Sequence, residues 1–251
     1  MRNPDRQTRF SFKQFEMSNC RSAMKIGTDG VLLGAWAIGT PISRQSDEEL
    51  RIMDVGSGTG LIALMLAQRF PKATIVGVEC YRDAAEEGAD NFAGSPWHEN
   101  LQMVHADFNT IALESAPESF DAVVSNPPFF TNGAHAPDMQ RLAARHEGTL
   151  NLESLTAGAA RLLRPGGILS IVIPAEHRQR AEFAASIHRL HTLRICEVHT
   201  VASKPARRVL IDFIKEQLPA PVERTTLCIS DANGNKTADY VRLVSPFYIR
   251  L

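Results

Sequence analysis

The sequence predicts an α/β fold with a doubly wound, mostly parallel sheet, and three observations carry that expectation. Short apolar, β-branched runs alternate with segments of helical apolar spacing through the middle of the chain. A strand at Arg51 to Val55 runs into Gly56, Ser57, Gly58, Thr59 and Gly60, and helical spacing follows from Leu61 to Phe70. A later strand, Phe120 to Ser125, ends in Asn126, Pro127 and Pro128. Proline lacks the N–H that a helix or central strand would use, so the chain must turn there, with Asn126 extended at a strand's carboxyl end. Open α/β sheets bind their ligands at that edge.

With 251 residues, 44% of them apolar, the chain can fill one sizeable core. A single domain is expected, with an N-terminal extension over 1–49, a core over 50–216 and C-terminal additions over 217–251. The opening Met1 to Arg9 has no apolar h-region, and nowhere do eighteen uncharged apolar residues follow one another, so a soluble, cytoplasmic protein is expected. Cys20, Cys80, Cys196 and Cys228 are widely spaced and read as reduced thiols. The histidines show no H-x-x-x-H spacing, and no metal is expected. A net charge of -1 excludes a generally basic coat, which confines any nucleic-acid contact to a local patch. The chain is read as a monomer.

Taken in order, Phe10, Phe12 and Phe15 suggest a strand and Met24 to Ile26 a second, with a turn through Asn19. Thr28 and Asp29 are good N-caps for the apolar run Val31 to Ala37, which Thr40 and Pro41 terminate. After the glycine turn and its helix, Ala73 to Val78 forms a strand ending in Glu79, and Arg82 to Ala93 a helix. Leu101 to His105 is a third strand with Asp107 just beyond it. The polar stretch Thr131 to Gly148 reads as a long loop with a helical portion, and it carries Arg141 and Arg145. Leu152 to Leu163 is helical, Arg164 to Gly167 a turn, Ile168 to Ile173 a strand and Glu176 to Leu190 a helix. Ile195 to Val201 and Val209 to Ile214 form an antiparallel hairpin, Thr225 to Ser230 a further strand and Ala238 to Leu243 a terminal helix.

Glycines after the first core strand let a ligand approach the backbone, and the helix N-terminus behind them offers unpaired N–H groups to an anion. Glu79 lies about 20 residues beyond them, where a carboxylate can take two ribose hydroxyls; the alternative for it is a solvated strand-end carboxylate. Asp107 is placed to meet a base edge or simply to start a turn. At the other motif, the Asn126 side-chain oxygen and the Pro127 carbonyl offer two acceptors in a rigid turn, beside the flat ring of Phe129. Two acceptors and a ring suit a planar amino group.

The two motifs, in this order and spacing, resemble the class I S-adenosylmethionine-dependent methyltransferases, and among them the amino-group methylators with Asn/Asp-Pro-Pro-Tyr/Phe. Phe12 to Phe15, Met24 to Trp36, Ser95 to Trp97 and Arg208 to Leu210 narrow the likeness to the bacterial tRNA (adenine-N6)-methyltransferases that modify valine tRNA beside its anticodon. The resemblance implies a Rossmann-like, seven-stranded, mostly parallel sheet with an antiparallel last strand, and S-adenosyl-L-methionine as cofactor. It implies that Gly56, Gly58 and Gly60 pack on the methionine part, with Asp54 near the ammonium, Glu79 on the ribose and Asp107 on the adenine amino group. Lys25, Thr28 and Asp29 would lie by the methionine end. Asn126, Pro127 and Phe129 would hold the target base, with Asn126 also beside the cofactor. Lys204, Arg207 and Arg208, together with Arg141 and Arg145, form the candidate tRNA-binding rim. The same Asn-Pro-Pro chemistry serves methylators of protein glutamine and of DNA or rRNA adenine, so the motif defines the reaction more narrowly than the substrate. A cofactor-binding protein without catalysis would have no use for Asn126. Phe129 departs from the commoner Tyr, losing a hydroxyl and keeping the ring.

Overall fold

A computed structural model describes residues 9–21, 26–39, 49–128, 150–216 and 221–250. Its centre is a sheet built from β3 (Arg51–Val55), β4 (Thr74–Glu79), β5 (Leu101–His105), β6 (Phe120–Ser125), β7 (Leu163–Pro174), β8 (Leu190–Val201), β9 (Arg208–Lys215) and β10 (Glu223–Ser230). Successive residues on a strand face opposite sides. Ile52 and Val124 therefore join one apolar layer, and Met53, Val55 and Val123 the other. All five are buried, because helices cover both faces; this is why the central strands read as unbroken apolar runs.

One layer holds α1 (Thr28–Trp36), α2 (Leu61–Arg69) and α7 (Ala238–Val244), with Phe92 from α3 (Arg82–Ala93). The other holds α4 (Phe108–Glu114), α5 (Leu152–Leu162) and α6 (Arg178–Ile187). The strand order is β10-β8-β9-β7-β6-β3-β4-β5, with β9 antiparallel to β7 and β8 and the other pairs parallel. This is the expected seven-stranded arrangement with an antiparallel last strand, extended at one edge by the C-terminal strand β10.

Several boundaries differ from the sequence reading. Arg164 to Gly167 belongs to β7 as an irregularity in its pairing, the register passing from Phe120 opposite Leu163 to Ala122 opposite Ile168. The last core helix stops at Ile187, because Arg189 takes a positive φ of 58° that reverses the chain into β8. At the N-terminus, β1 (Arg9–Ser11) and β2 (Glu16–Ser18) form a hairpin whose turn lies at Phe12 to Phe15. The Phe12 and Phe15 rings stack at 4.6 Å and meet Tyr248 and Trp97, so aromatic burial sets the turn earlier than the polar Asn19 suggested. Met24 lies outside the described residues, and Ile26 is not in a strand.

Helix α1 is capped at Gly27, with Thr28 and Asp29 in its first turn and no side-chain cap. Val31, Leu32 and Leu33 are buried, about 1.5–3 kcal/mol each, so packing holds this helix in place. Beyond its other end, the Ile38 and Gly39 amides donate to Ser170 Oγ (3.1 Å) and to the fully buried Asp212 (3.1 Å). Ser170 Oγ and Arg194 Nε also donate to Asp212, at 2.6 Å each, and the Arg194 guanidinium lies 3.7 Å over the Trp36 ring. A buried carboxylate is tolerated only with such full compensation. The network locks α1 across the sheet, leaving its first turn at the carboxyl edge. Among the described residues, no helix is long and apolar enough to cross a membrane.

Candidate active site

Chain winding reverses between β3 and β6. From β3 the chain proceeds outward through β4 to β5, and it then returns to pair β6 on the other side of β3. Strand ends diverge at such a switch point and open a crevice. Val55 lies opposite Ser125, and Ser125 Oγ donates to the Val55 carbonyl at 2.8 Å. Gly56 and Asn126 thus leave from two strand ends fastened side by side.

On one side is the glycine turn. The Gly56 and Ser57 amides donate to the Val78 carbonyl at 2.9 and 3.1 Å, and the Gly60 amide to the Ser57 carbonyl at 2.9 Å. Gly56, Gly58 and Gly60 have φ of 68°, 56° and 87°. The last two differ in surroundings: a Cβ on Gly60 would sit 2.4 Å from Phe92 Cε1, whereas a Cβ on Gly58 would have no heavy atom of the described residues within 4 Å. Among the described residues, space is therefore open over Gly58. Asp54, fully buried beneath the turn, accepts from Ser57 Oγ (2.7 Å) and the Ala63 amide (3.2 Å) through Oδ2. Its Oδ1 is buried and has no hydrogen-bond partner among the described residues. Burial pushes the Asp54 carboxyl up to about 7; the two hydrogen bonds oppose that rise, and the Glu79 charge adds to it.

Glu79 is 5% exposed, and both its oxygens are engaged: Oε2 accepts from the Gly58 amide and Oε1 from the Tyr81 amide, each at 2.8 Å. It is not a merely solvated strand end. A carboxylate has about four acceptor positions, so capacity beyond the two amides remains for hydroxyl donors. Asp107 is the N-cap of α4, accepting from the Asn109 amide at 2.7 Å.

On the other side of the crevice, Asn126 is half-buried and Pro127 buried. The described chain stops at Pro128 and resumes at Leu150, whose Cδ2 is 3.8 Å from where a Cβ on Gly56 would be. Asn151 and Ser154 then form a reciprocal capping box that starts α5. Pro128 and Leu150, the described residues on either side of 129–149, therefore both flank the crevice. Phe129, Arg141, Arg145 and Lys25 lie outside the described residues.

Asp29 comes to the same edge and accepts from Arg208 Nε at 2.7 Å. Lys204 and Arg207 are exposed in the connection from β8 to β9, also at the carboxyl edge. Arg208 thus pairs with Asp29 while its Nη1 also donates to the Arg207 carbonyl, so of the three basic residues it alone bridges to the first turn of α1 among the described contacts. Sequence reasoning missed Ser57, Ser125, Glu87 and Asn91. The last two carried one signal, a spacing of four that puts two polar residues on one helix face.

Residues 41–202 match the family model described as methyltransferase small domain. A tRNA1(Val) (adenine(37)-N6)-methyltransferase of Porphyromonas gingivalis is 42% identical over 95% of this chain and 94% of its own. Proteins of the same description from Bacteroides thetaiotaomicron (40% identical, 96% of this chain, 98% of that one) and Aeromonas hydrophila (38%, 98% and 99%) are similar over the same extent. Among solved structures, a predicted O-methyltransferase from Agrobacterium tumefaciens shares the fold, with TM-score 0.66 and 20% identity over 87% of this chain and 96% of that one. A T. thermophilus 16S rRNA N2 G1207 methyltransferase in complex with AdoMet and guanosine does so with TM-score 0.54 and 20% identity, over 83% of this chain and 50% of that one. A paired glycine turn and Asn-Pro-Pro turn at one switch point, a family model over most of the core, and near-full-length relatives at this identity lead to one assignment: the chain belongs to the methyltransferase small domain family and, within it, to the tRNA1(Val) (adenine(37)-N6)-methyltransferases.

Proposed function

We propose that this protein methylates the exocyclic N6 of adenine in tRNA, at adenine 37 of valine tRNA, with S-adenosylmethionine as methyl donor. The observation that carries the reading is the placement of Asn126 and Pro127 beside the glycine turn, on adjacent strand ends tied by Ser125. Such a reaction belongs in the cytoplasm, with the tRNA. Mass spectrometry of tRNA nucleosides from cells with and without the protein tests it: N6-methyladenosine should fall in valine tRNA. An unchanged level would count against the reading.

The residues fit the cofactor. Among the described residues, Asp54 presents a buried, unpartnered oxygen suited to an ammonium, Gly58 leaves open space, and Glu79 retains acceptor capacity for ribose hydroxyls. When bound, the cofactor supplies an electrophilic methyl group on a sulfonium. Catalysis by the protein is then largely positioning, because the adenine amino lone pair is delocalised into the ring and no full proton need leave first. The Asn126 side-chain oxygen and the Pro127 carbonyl accept the two N–H bonds and favour a pyramidal nitrogen aimed across the crevice. Phe129 stacks on the extruded base, worth about 1–3 kcal/mol.

The state of Asp54 makes this fit measurable. Its folded value of about 7 lies above the ordinary 3.8, so the folded protein holds a proton there that the unfolded chain releases. The stabilisation is full below pH about 4 and is lost as pH rises through about 7. An ammonium beside Oδ1 favours the ionised carboxylate. Cofactor binding at pH 6 should therefore release close to one proton, and affinity should rise from pH 6 to pH 8. Calorimetry in two buffers of different ionisation enthalpy reads the release, which Asp54→Asn should abolish. Release that persists in that variant would remove Asp54 from the ammonium site.

For tRNA, Lys204 and Arg207 are the rim residues to test, and Arg141 and Arg145 fall in the sequence between Pro128 and Leu150, which flank the crevice. Phosphate contacts of this kind supply affinity and little sequence information. Lys204 and Arg207 replaced together by Ala should weaken tRNA binding and flatten its log–log salt slope by about 1–2, with cofactor affinity unchanged. Adding Arg208→Ala also breaks the Asp29 pair, so the triple variant reports on more than RNA. Equal affinities and slopes for wild type and double variant, at two salt concentrations, would show that the hairpin does not touch RNA.

A further inference from the structure

We propose that Glu87 and Asn91 on α3 are positioning residues that make the segment 16–21 a working part of the cofactor pocket, by fastening it to the glycine turn. The inference rests on the reading of that turn as the S-adenosylmethionine site. Glu87 and Asn91 are 2% and 6% exposed, and burying such groups is costly unless they are fully hydrogen-bonded. Glu87 Oε1 accepts from Ser18 Oγ at 2.9 Å and from the Cys20 amide at 2.5 Å, and Oε2 accepts from the Arg21 amide at 2.9 Å. Asn91 Oδ1 accepts from the Ser18 amide at 2.7 Å, while its Nδ2 donates to the Ser18 and Thr59 carbonyls, both at 2.9 Å. One amide side chain thus joins the N-terminal segment to the peptide between the two left-handed glycines, Gly58 and Gly60.

The helix face between them is shaped for the same contact. A Cβ on Gly88 would lie 3.0 Å from the Gly58 carbonyl oxygen, so helix and turn approach backbone to backbone. These hydrogen bonds of the two side chains run to one short segment and to the turn. Glu87 reaches the turn through Ser18 and Asn91. Loosening the segment at Glu87 should accordingly be felt at Thr59, and through it wherever the cofactor touches the turn.

The test uses Glu87→Gln, which faces an N–H₂ toward N–H donors without changing size, together with Asn91→Ala and the milder Ser18→Ala. Hydrogen exchange is followed over residues 16–21 and 56–61 in ligand-free protein, and S-adenosylhomocysteine affinity by calorimetry. In Glu87→Gln we expect faster exchange in both segments and affinity about five- to thirty-fold weaker. Asn91→Ala should do the same, and the double variant should be little worse than either single, because both act through one chain of contacts. A role confined to holding the fold would lower thermal stability and leave exchange over 56–61 unchanged. Freed exchange at 16–21 with an unaltered turn and unaltered affinity would overturn the proposal. If wild type does not bind S-adenosylhomocysteine, the cofactor reading fails, and exchange in the ligand-free protein alone judges the clamp. Should Asn91→Ala not fold, Glu87→Gln and Ser18→Ala carry the comparison.

Discussion

Asn126→Ala is expected to slow methyl transfer to tRNA about 10²–10³-fold, the usual cost of removing one preorganised polar contact at a reacting centre. Cofactor affinity should stay within about threefold, by the same reasoning that uniform binding and reaction are separable. The separation follows from where Asn126 is held. Its backbone is fixed from behind by the Ser125 bond to Val55 and from ahead by two prolines, so truncating the half-buried side chain removes an acceptor without releasing the turn. Single-turnover rates at saturating tRNA, with calorimetric cofactor titrations alongside, provide the check. Turnover retained within threefold would take Asn126 out of the reaction.

The second large effect distinguishes two glycines of one turn. Gly60→Ala places a methyl 2.4 Å from the buried Phe92 ring, at a φ of 87°. Left-handed strain of about 1–2 kcal/mol adds to overpacking of about 1–3 kcal/mol. For a chain of this size each kcal/mol lowers the melting temperature by about 2–4 °C, so a fall of roughly 5–15 °C is expected. Gly58→Ala carries similar strain and no clash, and should cost only about 1–2 kcal/mol. Its methyl enters the open space over the turn, however, and cofactor affinity should drop more than about tenfold, the steric counterpart of close backbone approach. Thermal unfolding and calorimetry should give opposite rankings for the two variants. A Gly60→Ala protein melting within 2 °C of wild type, or unchanged affinity in Gly58→Ala, would contradict this account of the turn.

Much of this site is legible in the sequence because its constraints are local. Three glycines in a strand-to-helix turn and two prolines after a strand dictate backbone conformation within a few residues of themselves, and the parallel order of strands brings the two turns together. Contacts that span the chain leave no such local mark. Arg208 reads naturally with Lys204 and Arg207 as one basic cluster, yet its partner is Asp29, 179 residues away. Asp212 looks like an interruption of an apolar strand until Arg194, Ser170 and Gly39 are seen around it. Glu87 and Asn91 look like an ordinary polar helix face, because the segment that covers them precedes them by about 70 residues. At the N-terminus a polar Asn19 suggested the turn, but stacking of Phe12 on Phe15 and their burial against Tyr248 and Trp97 outweigh turn propensity.

We propose delivery of a methyl group from the crevice between β3 and β6 to one adenine amino nitrogen. It is tested most directly by incubating the purified protein and methyl-labelled S-adenosylmethionine with unmodified valine tRNA and with the same tRNA carrying guanine in place of adenine 37, then digesting to nucleosides. Label should appear as N6-methyladenosine in the first RNA and be absent from the second. Label on the adenine 37 variant, or no label on either RNA alongside label on a protein glutamine, on DNA or on rRNA, would contradict it.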